Sequence, residues 1–115
     1  MPRRLREITD EPIQRHQIQA EGVTATITLR YLPQVESWFA DIDCAGIRRH
    51  GIRLALGVLH VQSANMPIDL VVRDTSDIDL DPIRRDDFST RRCELYVMMP
   101  ADMEEIRGAP VPVRA

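Results

Sequence analysis

Residues 23–31, VTATITLRY, alternate without a break. Val23, Ala25, Ile27, Leu29 and Tyr31 fall on one side, and Thr24, Thr26, Thr28 and Arg30 on the other. Successive side chains of an extended strand point to opposite faces, so this period of two fits a half-buried strand and excludes a helix. The threonines are β-branched and suit the solvated face of a pleated sheet. A strand with one apolar face needs a second layer to cover it. The rest of the chain must supply that layer.

The next segment repeats the period. After LPQVES, where Pro33 interrupts any ladder, Trp38, Ala40, Ile42 and Cys44 alternate with Phe39, Asp41 and Asp43. The two segments are expected to pair as a hairpin with a slightly long loop. Trp38 and Phe39 are neighbours, so both cannot enter one core. Trp38 is in phase with Ala40 and Ile42 and is expected inside, with Ala40 leaving room for the indole. Phe39 is in phase with the acids and is expected outside. Only 4% of the residues are aromatic, which makes an outward ring a candidate partner contact, rimmed by Asp41 and Asp43 and met by Arg from a neighbour. Arg48 and Arg49, the basic pair least offset by nearby acids, are the further candidates.

Elsewhere the pattern is shorter. His16, Ile18 and Ala20 alternate with Arg15, Gln17 and Gln19 as a first strand, closed by a turn at Glu21-Gly22. CAGIRRHG is expected to bend at Gly46 and Gly51, and Ile52, Leu54 and Leu56 to form a strand up to a bulge at Gly57, after which Val58–Val61 restart the pattern. SANMP is a loop. Ile68, Leu70 and Val72 share one face, as do Cys93, Leu95, Val97 and Met99. Residues 74–90 show no clear element. ADMEEIRG after Pro100 predicts a short helix, with Asp102 near its start, Arg107 in its last turn and Gly108 past its end. APVPVRA cannot continue it. The reading is an all-β chain, a small antiparallel β-sandwich or barrel of about six strands with a short C-terminal helix and extended terminal arms. Its parts are an N-terminal arm (1–12), a β domain (13–100), and a helix with a C-terminal tail (101–115). Both arms are expected to be mobile in the isolated chain and ordered by neighbours in an assembly.

Chemistry is sparse. Asp74, Asp77, Asp79 and Asp81 lie close together, but no Gly or terminal Glu completes a calcium loop. Arg84, Arg85, Arg91 and Arg92 follow and suit an Arg-paired loop instead. His16, His50 and His60 lack zinc spacing. Cys44 with His50 shows neither a lowered pKa nor a partner in reach. Cys44 and Cys93 sit in apolar alternating contexts and are expected to be free, buried thiols. No phosphate loop or nucleophile elbow is present. The expectation is therefore no enzyme, no metal and no cofactor. All fifteen basic residues are Arg, yet the net charge is −3, so no overall basic field invites nucleic acid. No apolar h-region or membrane-length run appears, which points to folding in a reducing cytoplasm.

The block from ITLRYLPQVESWFADID through GIRLALGVLHV, MPIDLVVRD and RRCELYVM resembles the phage baseplate plug family of contractile-tailed bacteriophages. The matching parts are Ile27–Tyr31, Trp38–Ile42, Gly46, Leu54–Gly57, Ile68–Val72 and Leu95-Tyr96, in order, within residues 13–99. The chain departs from the pattern in a longer acidic stretch, Asp74–Asp87, and in the tail after Pro100. The resemblance implies a non-enzymatic virion protein of the tail baseplate, meeting tube, hub and spike proteins. It also implies a homo-oligomer, trimer or hexamer, assembled in the host cytoplasm, with no membrane and no nucleic-acid specificity. The alternative from the residues alone is a soluble β-barrel binding module for a peptide or small ligand.

Overall fold

Alternation settles the larger sheet. A computed structural model of the chain describes residues 3–20, 22–57, 59–61 and 66–102. The expected turn residue Glu21, the restart at Val58, loop residues 62–65 and everything from 103 onward lie outside the described residues. β1 is Arg3–Arg4, β2 Ile13–Ala20, β3 Val23–Leu32, β4 Ser37–Cys44, β5 Ile47–Arg53, β6 Asp69–Asp74 and β7 Cys93–Met98. They form a four-stranded sheet, β2-β3-β4-β5, and a three-stranded sheet, β1-β7-β6, with every strand pair antiparallel. No closed barrel forms, so of the two expected architectures the layered one holds.

The hairpin β3–β4 pairs Tyr31 with Trp38 and Leu29 with Ala40. That register puts Ala25, Ile27, Leu29, Trp38, Ala40, Ile42 and Cys44 on the inner face, all buried. Leu70, Val72, Cys93, Leu95 and Val97 of the smaller sheet join them in one core cluster. Trp38 is fully buried. It packs at 5.4 Å from Tyr31 and edge-on at 5.6 Å from Phe88. Phe39 is half-buried on the opposite face. The phase of this strand is thus the one its neighbours dictate.

Three details differ from the sequence reading. First, CAGIRRHG is mostly strand. Ala45 and Gly46, with φ of 54° and 77°, make a two-residue turn, the geometry that matches strand twist, and β5 starts at Ile47. Leu54 and Leu56 lie beyond its end. Second, the irregularity lies at Gly51 and not at Gly57. Ala40 pairs with Ile52 and Ile42 with Arg49, so His50 and Gly51 together oppose Asp41, a β-bulge in which Gly51 takes a φ of 67°. Third, the N-terminal segment is not wholly free. Arg3 and Arg4 pair with Val97 and Tyr96, Leu5 N donates to Leu95 O at 2.8 Å, and Leu5 and Ile8 pack against the core.

The segment after β5 lies along the β6 edge. Leu56 bridges Val72, and Gly57 N donates to Val72 O at 3.0 Å. His60 reinforces it. Its Nε2 accepts from Ala55 N at 2.8 Å, so its Nδ1 carries the proton that goes to Leu70 O at 2.7 Å. At the other end of β7 the expected helix begins, with Pro100 as its first residue. Asp102 reaches back to accept from Met99 N at 3.0 Å, the N3-to-N-cap half of a capping box.

Candidate functional site

The outer face of the four-stranded sheet gathers four of the five candidate contact residues. Phe39, Asp41 and Asp43 project from alternate positions of β4, beside Arg30, Thr28 and Thr26 of β3. Across β4, Asp43 faces Arg48 of β5. Arg48 Nε donates to Asp43 Oδ2 at 3.1 Å, and Arg30 Nη2 donates to Asp41 Oδ1 at 3.0 Å. Asp41 Oδ1 also accepts from Gly51 N at 2.8 Å, with His50 Nδ1 at 3.8 Å. The bulge therefore has a function within the fold: it turns an amide of β5 toward the Asp41 carboxylate. Arg49 lies opposite Ile42, in the other phase, and does not join this group.

The acids beside Phe39 are met from within the chain. The expectation gave that task to arginines of a neighbour. Arg48 is 70% exposed and Asp43 48%, so this pair adds little stability, within about 0–1 kcal/mol. Arg30 is different. Its Nε is buried and has no hydrogen-bond partner among the described residues. The face is thus a half-buried ring flanked by one solvated ion pair and one better-held pair.

The stretch without a clear element, 74–90, is densely hydrogen-bonded together with Arg91 and Arg92, which follow it. Arg92 forks onto Asp87, with Nε to Oδ1 and Nη2 to Oδ2 both at 2.8 Å. The same guanidinium donates to Leu80 O at 3.0 Å and Asp81 O at 2.7 Å. Asp87 Oδ2 accepts from Ile83 N and Arg84 N at 2.8 and 2.7 Å. Burial would raise the Asp87 carboxyl, but the Arg92 fork and these backbone donors outweigh it and hold the group below its ordinary value. Two aromatic residues of the β3–β4 hairpin tie the loop down: Trp38 Nε1 donates to Arg84 O at 2.9 Å and Tyr31 OH to Ile83 O at 2.8 Å.

The clustered aspartates are used separately. Asp74 accepts from Ser76 N, Ser76 Oγ and Asp79 N, and lies 3.8 Å from Arg92. Asp81 Oδ1 accepts from Leu56 N at 2.9 Å. Among the described residues no group of acids, His or Cys is placed to hold a metal. Arg92 supplies the anticipated pairing. Arg85 donates to Asp10 O and Arg91 to Glu94 instead. Both thiols are free and buried. Burial, and then Asp43, raise Cys44, while burial pushes Cys93 up to about 12. Neither is a ready nucleophile at neutral pH.

Sequence reasoning missed two features: the Arg92–Asp87 lock and the free edge of β2. The first has a weak signal, an Asp five residues before an Arg in a segment without period. The second has one too, since a strand with no Pro and a single Arg, Arg15, beside Gln17 and Gln19 on its polar face is poorly defended as an edge.

A family model described as cyanophage baseplate Pam3 plug gp18 matches residues 5–100. No curated protein sequence matches the chain.

Proposed function

Because that model spans most of the chain, the chain belongs to the phage baseplate plug family, and from this we propose how it acts within the tail. It is a structural virion protein of the baseplate of a contractile tail. It sits near the tail axis and links the tail tube to the central hub and spike. It acts without catalysis, in several copies arranged with the three-fold or six-fold symmetry of the tail, and assembles in the host cytoplasm.

The observation that carries this reading is the extent of the family match, 5–100, which takes in β2 to β7. The fold supports it. Both thiols are buried, Asp74 and Asp81 are engaged by backbone amides and Arg side chains, and the outer face of β3–β5 is a ring-and-ion-pair surface suited to another protein. The test is direct. Tails purified from phage particles are expected to contain this chain together with tube and hub proteins, and a phage lacking it is expected to make no functional tails. Absence of the chain from purified tails would refute the reading.

A further inference from the structure

We propose that the free edge of β2 receives the C-terminal segment 109–115 of a second copy of this chain, added as an extra strand. This rests on the baseplate reading, which takes the copies to be arranged head to tail around an axis. Such a ring needs two different patches on every copy, one for each neighbour.

Three of the four sheet edges are defended. β1 is only two residues long. β5 carries the bulge at Gly51 and the arginines Arg48, Arg49 and Arg53. β6 is covered by Leu56, Gly57 and His60. Short length, bulges, charge and covering segments are the usual protections of an edge. β2 has only a single Arg, Arg15, and among the described residues no bulge and no hydrogen-bonded covering segment. It is eight residues long and in unbroken register with β3.

The phase of its backbone is fixed by one bond. Tyr31 N donates to Pro12 O at 2.7 Å, so Pro12, Gln14, His16 and Ile18 turn their backbone groups to β3. Ile13, Arg15, Gln17 and Gln19 therefore turn theirs to the open side. No hydrogen bond to these groups exists among the described residues. A groove of about 810 Å³ runs along this edge between β1 and β2, with Leu5 and Ile18 in its wall.

The segment 109–115 reads Ala-Pro-Val-Pro-Val-Arg-Ala. Pro110 and Pro112 lack an N–H and have the same parity, while Ala109, Val111 and Val113 keep theirs. An extended chain with this sequence has four donors on one side, at Ala109, Val111, Val113 and Ala115, and a single one on the other, at Arg114. It can pair along the first side, whereas Pro110 and Pro112 break a ladder along the second. Strand addition of this kind uses main-chain bonds for affinity. Antiparallel pairing to Ile13, Arg15, Gln17 and Gln19 places the valines on the outer face and the proline rings over the groove. The added strand fills the last open edge and terminates the sheet.

The experiment uses three proteins measured by size exclusion with light scattering over a range of concentrations: the full chain, the chain ending at Gly108, and Gln17→Pro. The Gln17 N–H points away from β3, so proline there removes no bond of the fold; a thermal melt checks this, and Gln19→Pro is the second such variant. The full chain associates with rising concentration, each altered chain stays monomeric, and an equimolar mixture of the two associates again, one supplying the edge and the other the tail. Association undiminished by the truncation overturns the proposal. So does a monomeric full chain, including one whose Arg15, Gln17 and Gln19 amides exchange slowly only when its own tail is present. Absence of the chain from purified tails would refute the baseplate reading and leave these masses unchanged, so the two failures are distinct.

Discussion

Trp38→Ala and Phe39→Ala remove adjacent rings and test the whole inside-outside assignment. Trp38 is fully buried, touches Tyr31 and Phe88, and holds the 83–84 backbone through its indole N–H. Truncating a buried large aromatic costs about 3–5 kcal/mol. Leaving the Arg84 carbonyl without its donor adds about 1 kcal/mol. Domains of this size have total stabilities of about 5–15 kcal/mol, so Trp38→Ala is expected to leave a marginal fold. Trp38→Phe keeps much of the ring volume and loses the hydrogen bond, for a total cost of about 1–3 kcal/mol. Phe39 is half-buried on the outer face, and its removal is expected to cost about 1 kcal/mol or less, near the ordinary value for a substitution outside the core. Urea melts followed by far-UV circular dichroism measure all three, since Trp38 is the only Trp and its fluorescence is lost with it. If Phe39→Ala destabilises as much as Trp38→Ala, the phase assigned to β4 is wrong. If Phe39→Ala leaves both the melt and incorporation into tails unchanged, the ring is an ordinary exposed side chain and no partner contact.

The loop lock gives a second test: Arg92→Ala, which strands the Asp87 carboxylate at 3% exposure, is expected to cost about 3–5 kcal/mol, and a double-mutant cycle with Asp87→Ala measures the coupling. Because Asp87 is held below its unfolded value, its contribution is present at neutral pH and is lost as pH falls below about 4 and through the folded pKa; acid melts of Asp87→Asn are expected to show a shallower loss over that window. The two cysteines should resist a thiol reagent in the native chain and react fully on unfolding, and a disulfide band on non-reducing gels of whole particles would contradict the free-thiol assignment. Gly51→Ala meets open space but must hold a φ of 67°, for an expected cost of about 1–2 kcal/mol and a weakened Gly51–Asp41 bond.

Much of the fold was legible because strands announce themselves by period. VTATITLRY and SWFADIDC carry their facing in the sequence, and their register follows from which faces are apolar. β5 was harder, since RRHG has no apolar alternation: the bulge breaks the phase and the strand is held by main-chain pairing to β4. β1 is invisible for the same reason, two arginines with no apolar alternation, held by backbone pairing to β7 and by the Arg4–Glu94 ion pair. The 74–92 loop owes its order to one guanidinium and several carbonyls, and carbonyls leave no trace in a residue pattern. Of the five candidate contacts, four share a face because parity places them there. Arg49 was included on charge, which says nothing about direction.

The pairing of β1 with β7 also sets a timetable. Arg4 and its partner Glu94 are 90 positions apart. At elongation rates of about 5–20 residues per second, roughly 5–18 s separate their synthesis. The β2–β5 meander, linked by short turns, is complete well before that, whereas the first strand waits on the ribosome with nothing to pair with. In that interval the N-terminal segment is the part of the chain most open to a chaperone, a protease or the edge of another nascent copy.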